Sequence, residues 1–211
     1  MKTFLTLGLI FFALSFCGLG DRLKGLTGSG GSNSNGTTTG SNSSSSPTAA
    51  EKPKISGSQQ AIIDGSTETK WDDQGLSWKL PAGWKKMNVG KEQFFYSSPD
   101  NASLIVSISA MPDSFPMDVS QKAYFDQALQ QLKNGKYESV KMTEIDGITG
   151  VEFTEAPPQN KDDPRRHQWI AYRSYLGQKQ QVNVMTATKG SNFGKHEDDF
   201  AAVLYSMKAV K

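Results

Sequence analysis

The chain has 211 residues, a formal charge of +2, 36% hydrophobic and 21% charged side chains, and one cysteine. Lysine and arginine are scattered and nearly balanced by acids, which excludes nucleic acid and strongly anionic surfaces from the expected partners. With one cysteine there is no disulfide framework, so the folded part must be held by its core alone.

The chain starts with Met1-Lys2, continues through an almost unbroken apolar run over 3–16, and reaches Cys17. A positive start, an apolar stretch and a processing point are the layout of a secretory signal. The stretch Leu14-Ser15-Phe16-Cys17 resembles the lipobox of bacterial lipoproteins. In that group the cysteine is lipid-modified and becomes the first mature residue. Leu14 and Ser15 fit the pattern, while Phe16 stands where the group prefers Gly, Ala or Ser. Residues 1–16 are therefore expected to be a signal peptide and Cys17 the lipid attachment site, with the membrane contacted through the lipidated N-terminus. Two other readings stay open. Ala13-Leu14-Ser15 passes loosely for an ordinary small-x-small cleavage site. The run is short for a membrane span, which needs about 20 apolar residues.

Residues 27–46 are built wholly from Gly, Ser, Thr and Asn. Such a segment has nothing to bury against the entropy of ordering, so 17–58 reads as a flexible tether and 59–211 as one folded domain. A Gln59–Ile63 patch is transitional, and Trp71-Asp72-Asp73-Gln74-Gly75 introduces the fold. Leu76, Trp78 and Leu80 alternate with polar residues as a strand does, and Pro81-Ala82-Gly83 stops it. Residues 93–97 and 104–110 are expected as two more strands. Short turns favour antiparallel pairing of all three in sequence. From 118 to 133 the apolar period changes to three and four, a helix with Asp118 or Ser120 as N-cap and Asn134-Gly135 as its stop. Ile145-Asp146-Gly147-Ile148 signals a hairpin, with Val140 and Met142 before it and Val151 and Phe153 after. A polar loop spans 155–166. Residues 168–176 are apolar on both faces, as a covered central strand requires, and 181–188 return beside them. Phe200, Val203, Leu204 and Met207 sit at helical spacing after Asn192, with Glu197-Asp198-Asp199 placed where a helix N-terminus favours negative charge. The order predicts an α+β domain, an antiparallel sheet flanked by helices.

Leu80-Pro81-Ala82-Gly83-Trp84, a Phe-rich strand, a strand ending near Met111-Pro112, a helix, the Ile-Asp-Gly hairpin and a final helix ending in Tyr205-Ser206-Met207 together resemble the PsbP-like group of lipoproteins and lumenal proteins. The resemblance covers about 67–211. It implies an antiparallel sheet flanked by helices and a binding or scaffolding role, and it carries over no catalytic residue.

The residues point the same way on chemistry. The chain has two histidines, His167 and His196, no nucleophile elbow, no zinc-spaced ligand set and no phosphate loop following a strand, so no catalytic residue, metal or cofactor is assigned. The stretch 155–167 concentrates both signs of charge between prolines. Asp162, Asp163, Arg165, Arg166 and His167 are its candidate binding residues, although a solvated hairpin loop is the simpler reading. The expected function is a non-enzymatic binding or accessory module of the bacterial cell envelope, meeting a protein partner through a sheet edge or this loop. The alternatives are a small anionic solute held near Arg165 and Arg166 and, less favoured, an envelope hydrolase. The hydrolase would need an acid–base pair within hydrogen-bond reach.

Overall fold

Two apolar periods build the domain, two in its strands and 3.6 in its helices. The computed structural model describes residues 50–210, so Cys17 and the Gly/Ser/Thr/Asn tract lie outside the described residues. In chain order the elements are α1 (Gly57–Gly65), β1 (Thr67–Trp71), β2 (Leu76–Leu80), β3 (Lys85–Val89), β4 (Gln93–Ser97), β5 (Ser103–Ala110) and α2 (Met117–Lys133). Then come β6 (Tyr137–Ile145), β7 (Ile148–Glu155), β8 (Pro164–Tyr175), β9 (Gln178–Lys189), α3 (Phe193–Tyr205) and β10 (Lys208–Ala209).

A seven-stranded antiparallel sheet runs in the order β3-β4-β5-β9-β8-β7-β6, and a second sheet of three strands runs β1-β2-β10. One face of the large sheet takes α2, whose Phe125 and Ala128 pack on Val151, Phe153 and Ile170. Its other face presents Leu104, Val106, Trp169, Val182 and Val184 to Trp71, Trp78 and Leu80 of the small sheet and to Val203 and Leu204 of α3. The fold is therefore α+β, with helices on both sides of an antiparallel sheet. Trp71, Trp78 and Trp169 are at most 1% exposed. Burying a large apolar side chain contributes roughly 1.5–3 kcal/mol, so these three alone matter on the scale of a domain's net stability.

Covering both faces explains the composition of the central strands. On β7 and β8, Val151 and Ile170 face α2 while Glu152 and Trp169 face the other side. Gly150 is required by that packing, because a Cβ there would lie 2.4 Å from the Trp169 indole. The Asp146-Gly147 hairpin forms as expected, with positive φ at both residues, and Leu176-Gly177 repeats that geometry between β8 and β9.

Several expectations are corrected. β2 does not pair with the strand at 93–97. It lies in the small sheet between β1 and β10, and β3, exposed at four of its five residues, takes the edge of the large one. With no buried face, β3 has no apolar alternation to read. The patch at 59–63 is helix α1, started by a capping box between Ser56 and Gln59. The domain's contacts also begin before residue 59: Glu51 bonds to Met142 and Glu144 and extends the edge of β6. α2 starts at Met117 after Pro116, with no side-chain cap from Asp118 or Ser120. α3 follows Asn192 and starts at Phe193, so Glu197-Asp198-Asp199 lie in the helix body and not in its first turn.

Candidate functional site: a cleft beside helix α2

The charged stretch 155–167 is built differently from the expected loop. β7 runs to Glu155 and β8 starts at Pro164, so Arg165, Arg166 and His167 are strand residues and the connection is only 156–163. The guanidinium of Arg165 pairs with Glu138, donates from Nε to the Glu155 carbonyl at 2.8 Å, and lies 4.1 Å from the centre of the Phe193 ring. Arg166 donates from Nη1 to both carboxylate oxygens of Glu155, at 2.9 and 3.2 Å. Asp162 pairs with Lys189 at 2.9 Å, and the backbone of Asp163 accepts from Gly190. An anionic solute at the two arginines would have to displace these carboxylates. The stretch ties β8 to its neighbours.

His167 leads to a group that the sequence reading missed. Its Nε2 is 2.9 Å from Oε1 of Glu152, a carboxylate only 4% exposed. The same oxygen accepts from the Tyr205 hydroxyl at 2.7 Å and lies 3.3 Å from Lys141 Nζ, and Oε2 accepts from Thr143 at 2.7 Å. Burial alone would raise the Glu152 pKa. The His167 bond and charge, Lys141 and the Thr143 bond outweigh it and hold the carboxyl down to about 2. Burial and the neighbouring Glu152 push the Tyr205 hydroxyl well above its usual range. Here is the acid–base pair that a hydrolase would need, lodged between β6, β7, β8 and α3. A pocket of about 200 Å³ lies next to it, between Lys141, Thr143 and Tyr205 on one side and residues 51–54 on the other.

The second histidine is locked as well. His196 is 4% exposed, with Nδ1 3.0 Å from Asp199 and Nε2 3.1 Å from Asp100. The Asp100 carboxyl is held well below its usual range, chiefly by bonds from Lys195 and Ser98. Among the described residues no group of three or more His, Cys, Asp or Glu side chains is placed to hold a metal ion, and no helix is long and apolar enough to cross a membrane.

The larger cavity lies on the opposite face of the sheet. A cleft of about 490 Å³ opens between the first turns of α2 and the place where β7 and β8 end. Met117, Phe125 and Met142 supply apolar wall, Asp118, Gln121, Lys122, Thr149 and Tyr172 supply polar groups, and Ile148 and Arg173 border it with their side chains turned to the other face of the sheet. Its volume falls within the range of about 300–1,000 Å³ usual for ligand pockets. Gln121 is 8% exposed; its Nε2 donates to the Ile170 carbonyl at 3.3 Å, and its Oε1 is buried without a partner. Arg173 is 7% exposed and bonded by neutral groups, the Gln74 carbonyl at 2.7 Å and Gln180 Oε1 at 3.1 Å. None of this was foreseen. Gln121 sits on the helix face that the apolar spacing already assigns to the core, and that buried-face position was its one available signal.

No protein-family model and no curated protein matches the chain. Solved structures do resemble it. LpqN of Mycobacterium tuberculosis, described as involved in cell envelope biogenesis, is 12% identical over 69% of this chain and 86% of that one, with a TM-score of 0.48. The cyanobacterial PsbP of Synechocystis is 13% identical over 69% of this chain and 94% of that one, with a TM-score of 0.44. A protein of Bacteroides thetaiotaomicron is 16% identical over 65% of this chain, with a TM-score of 0.42, and the match spans 46% of its length. The likeness is one of fold.

Proposed function

We propose that the chain is a membrane-anchored, exported lipoprotein with a PsbP-like domain that serves the bacterial cell envelope as a non-enzymatic binding or accessory module. Cys17 holds it at the membrane, the tether gives it reach, and the domain meets a protein partner. The observation that carries this reading is the contrast between the two polar sites. The Glu152–His167 pair is enclosed, and its carboxyl, held down to about 2, is a weak base at neutral pH, where a general base works best with a pKa near the working pH. The cleft beside α2 is open and lined with groups suited to holding a ligand: apolar wall, an amide, a hydroxyl and charges of both signs. The cysteine after the apolar run supplies the anchor in the same reading.

Anchorage is tested by the intact mass of the protein extracted from the membranes of its own source. The expected mass lacks residues 1–16 and carries acyl chains, and Cys17→Ala releases the protein to the soluble fraction or leaves the precursor uncleaved. An unmodified Cys17 in the mature protein would contradict the proposal.

A further inference from the structure

We infer that the tip of the β8–β9 hairpin is a membrane-contact site, with Leu176 entering the boundary between the headgroups and acyl chains of a phospholipid bilayer. This rests on the reading of the chain as membrane-anchored and adds a second, non-covalent contact that orients the domain.

The turn itself is the first observation. Leu176 and Gly177 have φ of 49° and 79°, nearly the 48° and 84° of Asp146 and Gly147 in the neighbouring hairpin. Such turns favour Asn or Asp before Gly, because the left-handed region is costly for other side chains. Asp146-Gly147 obeys that preference. The β8–β9 turn instead places a leucine there and leaves it 87% exposed, the most exposed large apolar side chain among the described residues. Backbone strain and apolar hydration are both borne by a side chain that the core does not use, and strain of this kind collects at functional positions.

Placement is the second. On one side β5 ends at Ala110, level with Gln180, and on the other the β7–β8 pairing ends at Gly150↔Ala171. The last pairs of the hairpin, Ser174↔Lys179 and Tyr175↔Gln178, therefore stand beyond both neighbours. Their polar groups are already engaged. Met111 donates its N–H to the Lys179 carbonyl at 2.8 Å, Gln178 Nε2 donates to the Met111 carbonyl at 2.8 Å, and Lys179 Nζ donates to the Phe115 carbonyl at 2.9 Å. A tip so satisfied loses little on leaving water. Exposed Val210 stands beside its base, since its N–H bonds to Gly75, and Gly75 lies against the Tyr175 ring.

Charge and shape select the occupant. No Asp or Glu occurs between Asp163 and Glu197, so the whole hairpin lacks acids that phosphate headgroups would repel. Tyr175 sits directly below the leucine, and tyrosine suits the headgroup level. The tip is convex, and a bilayer takes a convex apolar side chain without a matching recess. Residues 18–49 join Cys17 to the described domain, so in the anchored protein the contact is intramolecular and even a weak one is populated.

The test couples the full chain through Cys17, its one thiol, to a maleimide phospholipid in phosphatidylcholine nanodiscs. The domain is then held at a bilayer whether or not cells acylate that residue. A nitroxide on the lipid chains should erase the methyl resonances of Leu176, weaken those of Val210 and spare Met87, an equally apolar and exposed side chain on the far edge strand β3. Leu176→Asn should restore Val210 to the level of Met87 while raising the unfolding midpoint by about 2–4 °C, because asparagine fits the turn. The inference is overturned if Leu176 is broadened no more than Met87, if Leu176→Asn leaves the Val210 broadening intact, or if that variant unfolds at a lower temperature. A Leu176 that stays sharp on the discs but crosslinks to a protein in cells would likewise overturn it and assign the tip to a protein partner. The mass of the cellular protein at Cys17 is a separate reading, so a failed membrane contact and a failed lipid anchor are told apart.

Discussion

Glu152 shows how one side chain can look like chemistry and act as structure. Between Val151 and Phe153 it reads as the wet face of a half-buried strand, yet four donors converge on it inside the domain. Its folded-state pKa lies below the ordinary value of 4.5, near 2. A depressed carboxyl contributes stability that is fully present above the unfolded value and is lost as pH falls through the folded one. The window is therefore about pH 5 to 2, and the contribution at neutral pH is about 3 kcal/mol. In denaturant unfolding followed against pH, Glu152→Gln should lose about 2–3 kcal/mol at pH 7 and converge on the parent protein near pH 2. Equal losses at both pH values would show that packing, and not ionisation, is what the carboxylate supplies. Asp100 adds a slope of the same sign to both proteins, so the comparison isolates Glu152.

Elements with a strong apolar period were legible in the sequence, and those without one were not. The doubly covered β8 rests on side chains that the core demands, while the stop of α2 at Asn134-Gly135 and the Asp146-Gly147 hairpin rest on turn residues, with Gly135, Asp146 and Gly147 at positive φ. α1 and β3 bury no residue, so composition around them carried no pattern. α1 is held instead by a contact distant in sequence: Ser58 and Gln59 donate to the two carboxylate oxygens of Asp198 at 2.8 and 3.0 Å. Asp198 was expected to serve the N-terminus of its own helix. Its actual role gives a local prediction. Asp198→Ala should speed amide exchange over 60–65 by about tenfold while global stability falls by less than about 1 kcal/mol, since α1 adds no buried side chain. Unchanged exchange there would show that α1 is held by other contacts. The stretch 155–167 is paired within the fold for a related physical reason. Its charges looked available because their partners, Glu138 and Lys189, come from strands that only the folded sheet brings alongside.

At the scale of the molecule, the sequence speaks about address and the fold about surface. The apolar run and Cys17 carry the anchoring proposal. The domain keeps the Glu152–His167 pair enclosed and leaves open a cleft where two strands part beneath a helix.

The most direct test places a photo-reactive residue at position 149, inside the cleft, and a second at the exposed position 127 on the outer side of α2, and crosslinks both in intact cells of the source organism. The account predicts one dominant envelope-protein adduct from position 149 and none from 127. That adduct should disappear with Met142→Trp and with Cys17→Ala. Adducts of equal yield from the two positions, or an adduct from position 149 that survives the loss of Cys17, would contradict it.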